Sequence, residues 1–132
     1  MIVVDTSAVV TALAGRSPSQ GLIERLSGDP DLHAPHVIDV EILHALRRLV
    51  ARGRLSEERA ADVRLDFGDL TIMRYPHHPL ADRIWELRNN VTAHDAAFVA
   101  LSETLDVPLI TCDARLASAG EHSSDIELFE PR

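Results

Sequence analysis

The sequence predicts an α/β domain, a short and mostly parallel β-sheet with helices on both faces. Short β-branched runs alternate with longer amphipathic stretches along the whole chain, and capping or turn residues stand at the junctions. Neither internal repeats nor low-complexity segments interrupt the pattern. The strands read as continuous apolar runs rather than alternating ones, which is the mark of strands buried on both sides. At 132 residues the chain has the size of one domain, predicted over 1–132, and its loops are too short to mark a boundary.

Each element has a local reason. Ile2-Val3-Val4 is a β-branched strand, and Asp5-Thr6-Ser7 supplies N-cap residues for a helix beginning at Ala8. Gly15, Pro18 and Gly21 punctuate a loop. Ser17 or Ser19 caps a second helix carrying Leu22, Ile23 and Leu26, which Gly28-Asp29-Pro30 stops. A brief strand follows near Leu32-His33-Ala34. From Val37 to about Arg52, Ile38, Ile42, Ala45, Leu46 and Leu49 recur at helical spacing, with Gly53 placed as a C-cap glycine. Ser56-Glu57-Glu58 opens a helix through Phe67 that Gly68 ends, and Leu70 to Met73 reads as a strand. Pro79 to Arg88 and a segment from Thr92 to Leu105 are amphipathic helices. Asp106 ends the second of these, Val107 to Ile110 is a strand, Ala114 to Leu116 turns helical, and Ile126 to Phe129 is the last strand.

Composition excludes several functions. Hydrophobic residues at 45% and charged residues at 26% build a core, so the chain is not disordered. Aromatics at 4% argue against stacking platforms for single-stranded nucleic acid, so that any work on RNA is expected to rely on other groups. A net charge of −8 argues against binding nucleic acid by bulk charge and favours bound cations or a basic partner. All 13 basic residues are Arg, so receiver domains and P-loop enzymes, which place a Lys on the phosphoryl group, are excluded. A single Cys, no basic leader and no long apolar run predict a cytoplasmic chain without a membrane role.

Four acids stand where reactive groups gather in open α/β sheets, at the carboxyl ends of strands. Asp5 follows the first strand, and Asp113 follows Leu109-Ile110 with Thr111 and Cys112 between. Asp95 lies in the first turn of the helix after Thr92. Glu41 sits roughly 60° from the centre of its helix's apolar stripe, at the edge of the buried face. Each has a plain reading. Asp5 and Asp113 are good N-caps, Thr92-x-x-Asp95 is a capping-box signature, and Glu41 can pair with Arg48 or reach solvent. Together they offer hard oxygen ligands, which suit Mg²⁺ or Mn²⁺. Zinc fits less well, because Cys112 has no Cys or His at ligand spacing and His77-His78 are adjacent. His33, His36, His44, His77, His78 and His122 read as surface or loop residues, while His94 neighbours Asp95 and is a candidate substrate contact.

Val4-Asp5-Thr6-Ser7, Glu41 in a helix after Ala34-Pro35, Thr92 through Leu101, and Leu109 through Leu116 form an ordered set. In order, spacing and total length it resembles the PIN-domain ribonucleases, and more narrowly the VapC toxins of type II toxin–antitoxin pairs. The resemblance covers nearly the whole chain. It implies a PIN-like fold with Asp5, Glu41, Asp95 and Asp113 as the catalytic, metal-binding pocket, supported by Thr6, Ser7 and Thr111. Asp5 and Asp95 would ligate directly, Glu41 and Asp113 directly or through water. It also implies Mg²⁺- or Mn²⁺-dependent hydrolysis of RNA to a 5′-phosphate and a 3′-hydroxyl, inhibition of translation or growth, a cognate VapB-like antitoxin and a homodimer. His94 departs from the family, where Tyr often precedes the acid, and this bears on substrate contact rather than on metal binding. Arg47, Arg48, His94 and Arg115 are candidate RNA or partner contacts, the alternative being a solvated face.

Two other kinds of protein share parts of this pattern. A non-catalytic PIN-like module would bind RNA or a partner and keep its acids as scaffold. A phosphatase of the haloacid dehalogenase type also places Asp after its first strand, but it needs a second Asp two residues on, where Ser7 stands, and a Lys that is absent.

Overall fold

The computed structural model describes residues 1–130, so Pro131 and Arg132 of the expected 1–132 domain lie outside the described residues. The elements are β1 (Ile2–Val4), α1 (Thr6–Ala14), α2 (Gln20–Gly28), β2 (Leu32–Pro35), α3 (Ile38–Ala51), α4 (Glu57–Asp69), β3 (Ile72–Tyr75), a 3₁₀ turn (His78–Leu80), α5 (Ala81–Glu86), α6 (Ala93–Leu105), β4 (Leu109–Thr111), α7 (Ala114–Ala117) and β5 (Ile126–Leu128). The strands form one sheet in the order β3-β2-β1-β4-β5, and every pairing is parallel rather than mostly so. All residues of β1 and β4 are buried. Since successive side chains point to opposite faces, that requires cover on both sides of the sheet. Helix α6 packs against β1, β2 and β4, and α1 packs against β4, α3 and α4.

Strand order sets the site. From β1 the chain steps outward to β2 and β3, then returns to the other side of β1 with β4. The crevice beyond the carboxyl ends of β1 and β4 is therefore the topological switch point, where open α/β sheets bind their ligands. Asp5, Thr111 and Asp113 lie there by chain position. Helix α6 carries an unbroken buried run from Ala96 to Ser102, its alanines letting the backbone approach the sheet closely.

The caps decide the helix starts. Asp5 accepts from Ala8 N, Ser19 from Leu22 N, Ser56 from Arg59 N, Thr92 from Asp95 N and Asp113 from Arg115 N. Helix α1 thus begins at Thr6 rather than Ala8, and Ser19, not Ser17, caps α2. Gly53, just past α3, has φ +69°, a left-handed conformation that glycine adopts without strain.

Several further boundaries differ from expectation. Helix α4 continues through Gly68 to Asp69, because nothing crowds that exposed turn, and Leu70 becomes its C-cap. The strand expected at Leu70 to Met73 accordingly starts at Ile72 and ends at Tyr75. The helix expected from Pro79 to Arg88 divides into the 3₁₀ turn, which accepts Pro79 early, and the short α5. Strand β4 begins after Pro108, whose carbonyl accepts from Val3 N at 2.9 Å. His33, expected at the surface, is buried in β2, where its ring nitrogens meet the Tyr75 hydroxyl at 2.7 Å and Asp31 at 2.9 Å. Among the described residues no helix is long and apolar enough to cross a membrane.

Candidate active site

Asp5 is fixed by two elements at once. It leaves β1 with an extended backbone, and its carboxylate turns back to cap α1. Oδ1 accepts from Ala8 N at 2.9 Å and from Ser7 Oγ at 2.7 Å, while Oδ2 accepts from Thr111 Oγ1 at 2.6 Å. A carboxylate offers about four lone-pair positions, so these three bonds leave one, on Oδ2. The group is only 5% exposed. Burial is the largest influence and pushes its pKa up to about 6. The bonds from Thr111, Ala8 and Ser7 oppose that rise, and the charge of Asp95 adds to it.

The hydroxyls around Asp5 are themselves held. Ser7 Oγ accepts from Cys112 N at 2.9 Å and lies 3.3 Å from Thr111 Oγ1, which accepts from Asp113 N at 3.0 Å. Each hydroxyl has one proton, and both protons are directed at Asp5. The turn after β4 is thereby tied to the turn after β1 by side chains from both.

Glu41 lies in the first turn of α3, half-buried, and its Oε1 accepts from Thr6 Oγ1 at 2.6 Å. The pairing with Arg48 weighed from the sequence is absent among the described residues. Asp95 sits half-buried in the first turn of α6. Burial raises its pKa, Thr92 opposes, Asp113 raises it further, and Arg115 and His94 pull it down. Asp113 caps α7 through Oδ1, which accepts from Arg115 N at 2.9 Å. The Arg115 guanidinium stands 3.8 Å from that oxygen on an almost fully exposed side chain.

Capping and site-building are thus compatible. Asp5 and Asp113 are N-caps, and Thr92 caps the helix that carries Asp95. Yet Asp5 feels Asp95, and Asp95 feels Asp113, so the three carboxylates share one electrostatic neighbourhood. Glu41 joins them through Thr6, the residue after Asp5. Thr6, Ser7, Thr111, His94 and Arg115 all lie at this site. Arg47 and Arg48 do not directly join it, being exposed on α3 about 10 Å along the axis from Glu41. Sequence reading missed the Cys112 amide, which holds Ser7; a backbone donor leaves no signature in residue types. Burial raises the pKa of the Cys112 thiol, and the Thr11 side chain opposes that rise.

The donor set fits a hard cation in kind. It is all oxygen, burial with a smaller addition from neighbouring acids pushes two of its carboxyl groups upward, and Asp5 Oδ2 keeps an unused lone pair. Among the described residues no three His, Cys, Asp or Glu converge closely enough to hold one ion alone.

Residues 2–121 match the PIN domain family. The chain belongs to that family. This PIN domain is 46% identical over 127 residues to Ribonuclease VapC1 of Mycobacterium tuberculosis, covering 96% of each chain. It is 41% identical over 128 residues to Ribonuclease VapC12 of the same organism, covering 97% of this chain and 98% of that one. Within the family the PIN domain therefore falls in the VapC group. Its fold is shared with VapBC2 from Rickettsia felis, a structure solved with a DNA fragment from its promoter. The TM-score is 0.72 at 11% identity, with 98% of this chain and 100% of that chain covered.

Proposed function

We propose that this chain is a Mg²⁺- or Mn²⁺-dependent endoribonuclease and the toxin of a type II toxin–antitoxin pair, inhibiting translation or growth by hydrolysing RNA. The observation that carries the reading is Asp5, a carboxyl buried at the switch point, pushed up to about 6 and facing further acids with one oxygen position unspent. The relatives named Ribonuclease VapC1 and VapC12 support the reaction class, and the VapBC2 assembly supports an antitoxin partner.

Asp5 and Asp95 would hold the cation, with Asp113 and Glu41 joining directly or through water. When bound, such an ion supplies the positive charge that lowers the pKa of a water and offsets charge gathering on the phosphate. Thr111 and Ser7 fix the Asp5 carboxylate in one orientation, and Thr6 does the same for Glu41. Positioned carboxylates then hold the attacking water in line. Its oxygen bonds to phosphorus, the bond to the 3′ oxygen breaks, and the proton passes to that oxygen, leaving a 5′-phosphate and a 3′-hydroxyl. Arg115 and His94, at the rim, are placed to meet the RNA backbone. A cognate VapB-like antitoxin and a homodimer complete the proposal, with Arg47 and Arg48 as partner contacts.

The test is cleavage of total bacterial RNA by the purified protein with Mg²⁺ or Mn²⁺, beside EDTA and Asp95→Asn controls, with new 5′ ends mapped. Discrete metal-dependent cuts that vanish in the variant are expected. Cutting that survives in the variant, or no cutting by antitoxin-free protein, would overturn the reading.

A further inference from the structure

Next to the acidic site runs a trough of which the chemistry above uses only His94. Its inner part, about 220 Å³, is lined by His77, Ile84 and His94, the residue that precedes Asp95 in the chain; its outer part, about 390 Å³, shares His77 and Ile84 and ends at Trp85 and Arg88. In a chain with 21 acids, neither part has an Asp or Glu in its lining. A polyanion reaching an acidic pocket needs an approach free of negative charge, and this trough provides one.

The outer end carries aromatic and planar groups. Trp85 is 67% exposed, unusual for the largest apolar side chain, and the Arg88 guanidinium lies over its ring at 4.3 Å from the centroid. Arg88 also donates to the Trp85 carbonyl at 2.8 Å, which fixes the pair as one unit. Glu86, the adjacent acid, is drawn off by Arg83 at 3.1 Å. At the inner end, His77 Nε2 accepts from Val37 N at 2.9 Å, so that ring is anchored at the start of α3 with His36 against its edge. Exposed indole and guanidinium planes are the surfaces on which unpaired bases stack.

We infer that the trough from His94 to Trp85 is a nucleotide-binding subsite, in which an unpaired RNA base flanking the scissile bond stacks on the Trp85–Arg88 pair. The inference rests on the ribonuclease reading and adds where the strand runs and which residue grips it. It is a single grip rather than a platform, in keeping with the scarcity of aromatic residues.

Trp85 is the only tryptophan, so intrinsic fluorescence reports on it alone. A single-stranded RNA oligonucleotide of mixed sequence is titrated with Mg²⁺ into the Asp95→Asn protein, beside inorganic polyphosphate, which matches the charge but has no bases. RNA is expected to quench the emission and polyphosphate not to. By anisotropy of labelled RNA, Trp85→Ala is expected to weaken binding roughly tenfold and Trp85→Phe far less; in the otherwise wild-type enzyme Trp85→Ala raises KM more than it lowers kcat. RNA that binds without altering the emission, or with equal affinity for Trp85→Ala, overturns the inference. So does a blue shift produced by raising protein concentration without RNA, which would mean a second copy covers Trp85. Cleavage that persists unchanged in Trp85→Ala removes the subsite and leaves the ribonuclease standing. Stacking without any cleavage by the wild-type protein supports the subsite and removes the ribonuclease.

Discussion

The Thr111 hydroxyl donates to Asp5 Oδ2 at 2.6 Å, joining residues 106 positions apart across the junction of β1 and β4. The bond consumes one of the two lone pairs on that oxygen and leaves the other without a hydrogen-bond donor. It also accepts the Asp113 amide, so one hydroxyl sets the geometry of two acids. Replacing Thr111 by Val keeps shape and removes both bonds. A loss of 10- to 100-fold in activity or metal affinity is expected, with the far-UV spectrum unchanged. Metal titration of the variant checks it, and wild-type affinity would show that Thr111 merely packs.

Loss of charge at the acids has a larger effect. Asp5→Asn and Asp95→Asn each remove a proposed ligand, and RNA cleavage is expected to fall to background at any Mg²⁺ or Mn²⁺ concentration. Single-turnover cleavage of an end-labelled RNA measures this. Residual activity restored by high Mn²⁺ in Asp5→Asn would demote Asp5 from ligand to support.

The pH dependence of stability follows from the same buried group. Folding raises the Asp5 pKa from 3.8 to about 6, so between those values the folded state binds more protons than the unfolded one. Stability is therefore fullest below about 3.8 for this group and is lost as pH rises through about 6. The full window is worth about 3 kcal/mol, of which about 1 kcal/mol falls between pH 5 and pH 7. Without divalent cation, Tm is expected to drop by a few degrees from pH 5 to pH 7. Mg²⁺ at pH 7 should restore it, and Asp5→Asn should flatten the slope. An equal slope in that variant would assign the effect elsewhere.

An ion pair elsewhere works in the opposite sense. Arg83 grips Glu103 through two bonds of 2.8 and 2.9 Å, and Ser123 adds its amide and hydroxyl, tying α5 and the loop before β5 to α6. The Arg83 guanidinium, above all, holds the Glu103 pKa down to about 2 from 4.5. Its contribution is present above 4.5 and lost as pH falls towards 2. Because Arg83 is about one-third exposed, Glu103→Gln should cost only about 1 kcal/mol at pH 7, a gap that closes on acidification. Urea unfolding at pH 7 and pH 3 checks both halves.

Partner contact is open to a direct test as well. Arg47 and Arg48 are exposed and form no ion pair among the described residues. Changing both to Gln should leave Tm within about a degree, since exposed unpaired charges contribute little. Antitoxin affinity is expected to fall, calorimetric titration checks it, and an unchanged affinity would leave the two side chains as a solvated face.

Much of this molecule was legible in its residues. Caps at Asp5, Ser56, Thr92 and Asp113 are local chemistry, and apolar period distinguishes α3 and α6 from the strands, so the α/β class and four acids at strand or helix ends follow from the sequence alone. Tertiary structure decided what local rules cannot reach. Gly68 looked like a stop, but an uncrowded helix end tolerates glycine at modest cost, so α4 ran on and β3 moved. His33 looked like a surface residue until Tyr75 and Asp31, from other positions on and beside the sheet, satisfied both ring nitrogens inside the core. Glu41 took Thr6 instead of Arg48 because α1 and α3 meet in space, while an i,i+7 pair is only one neighbour among several. The rise of the Asp5 pKa was the least readable feature: it depends on how completely β1 and β4 exclude water, a property of the assembled sheet and not of any residue in it.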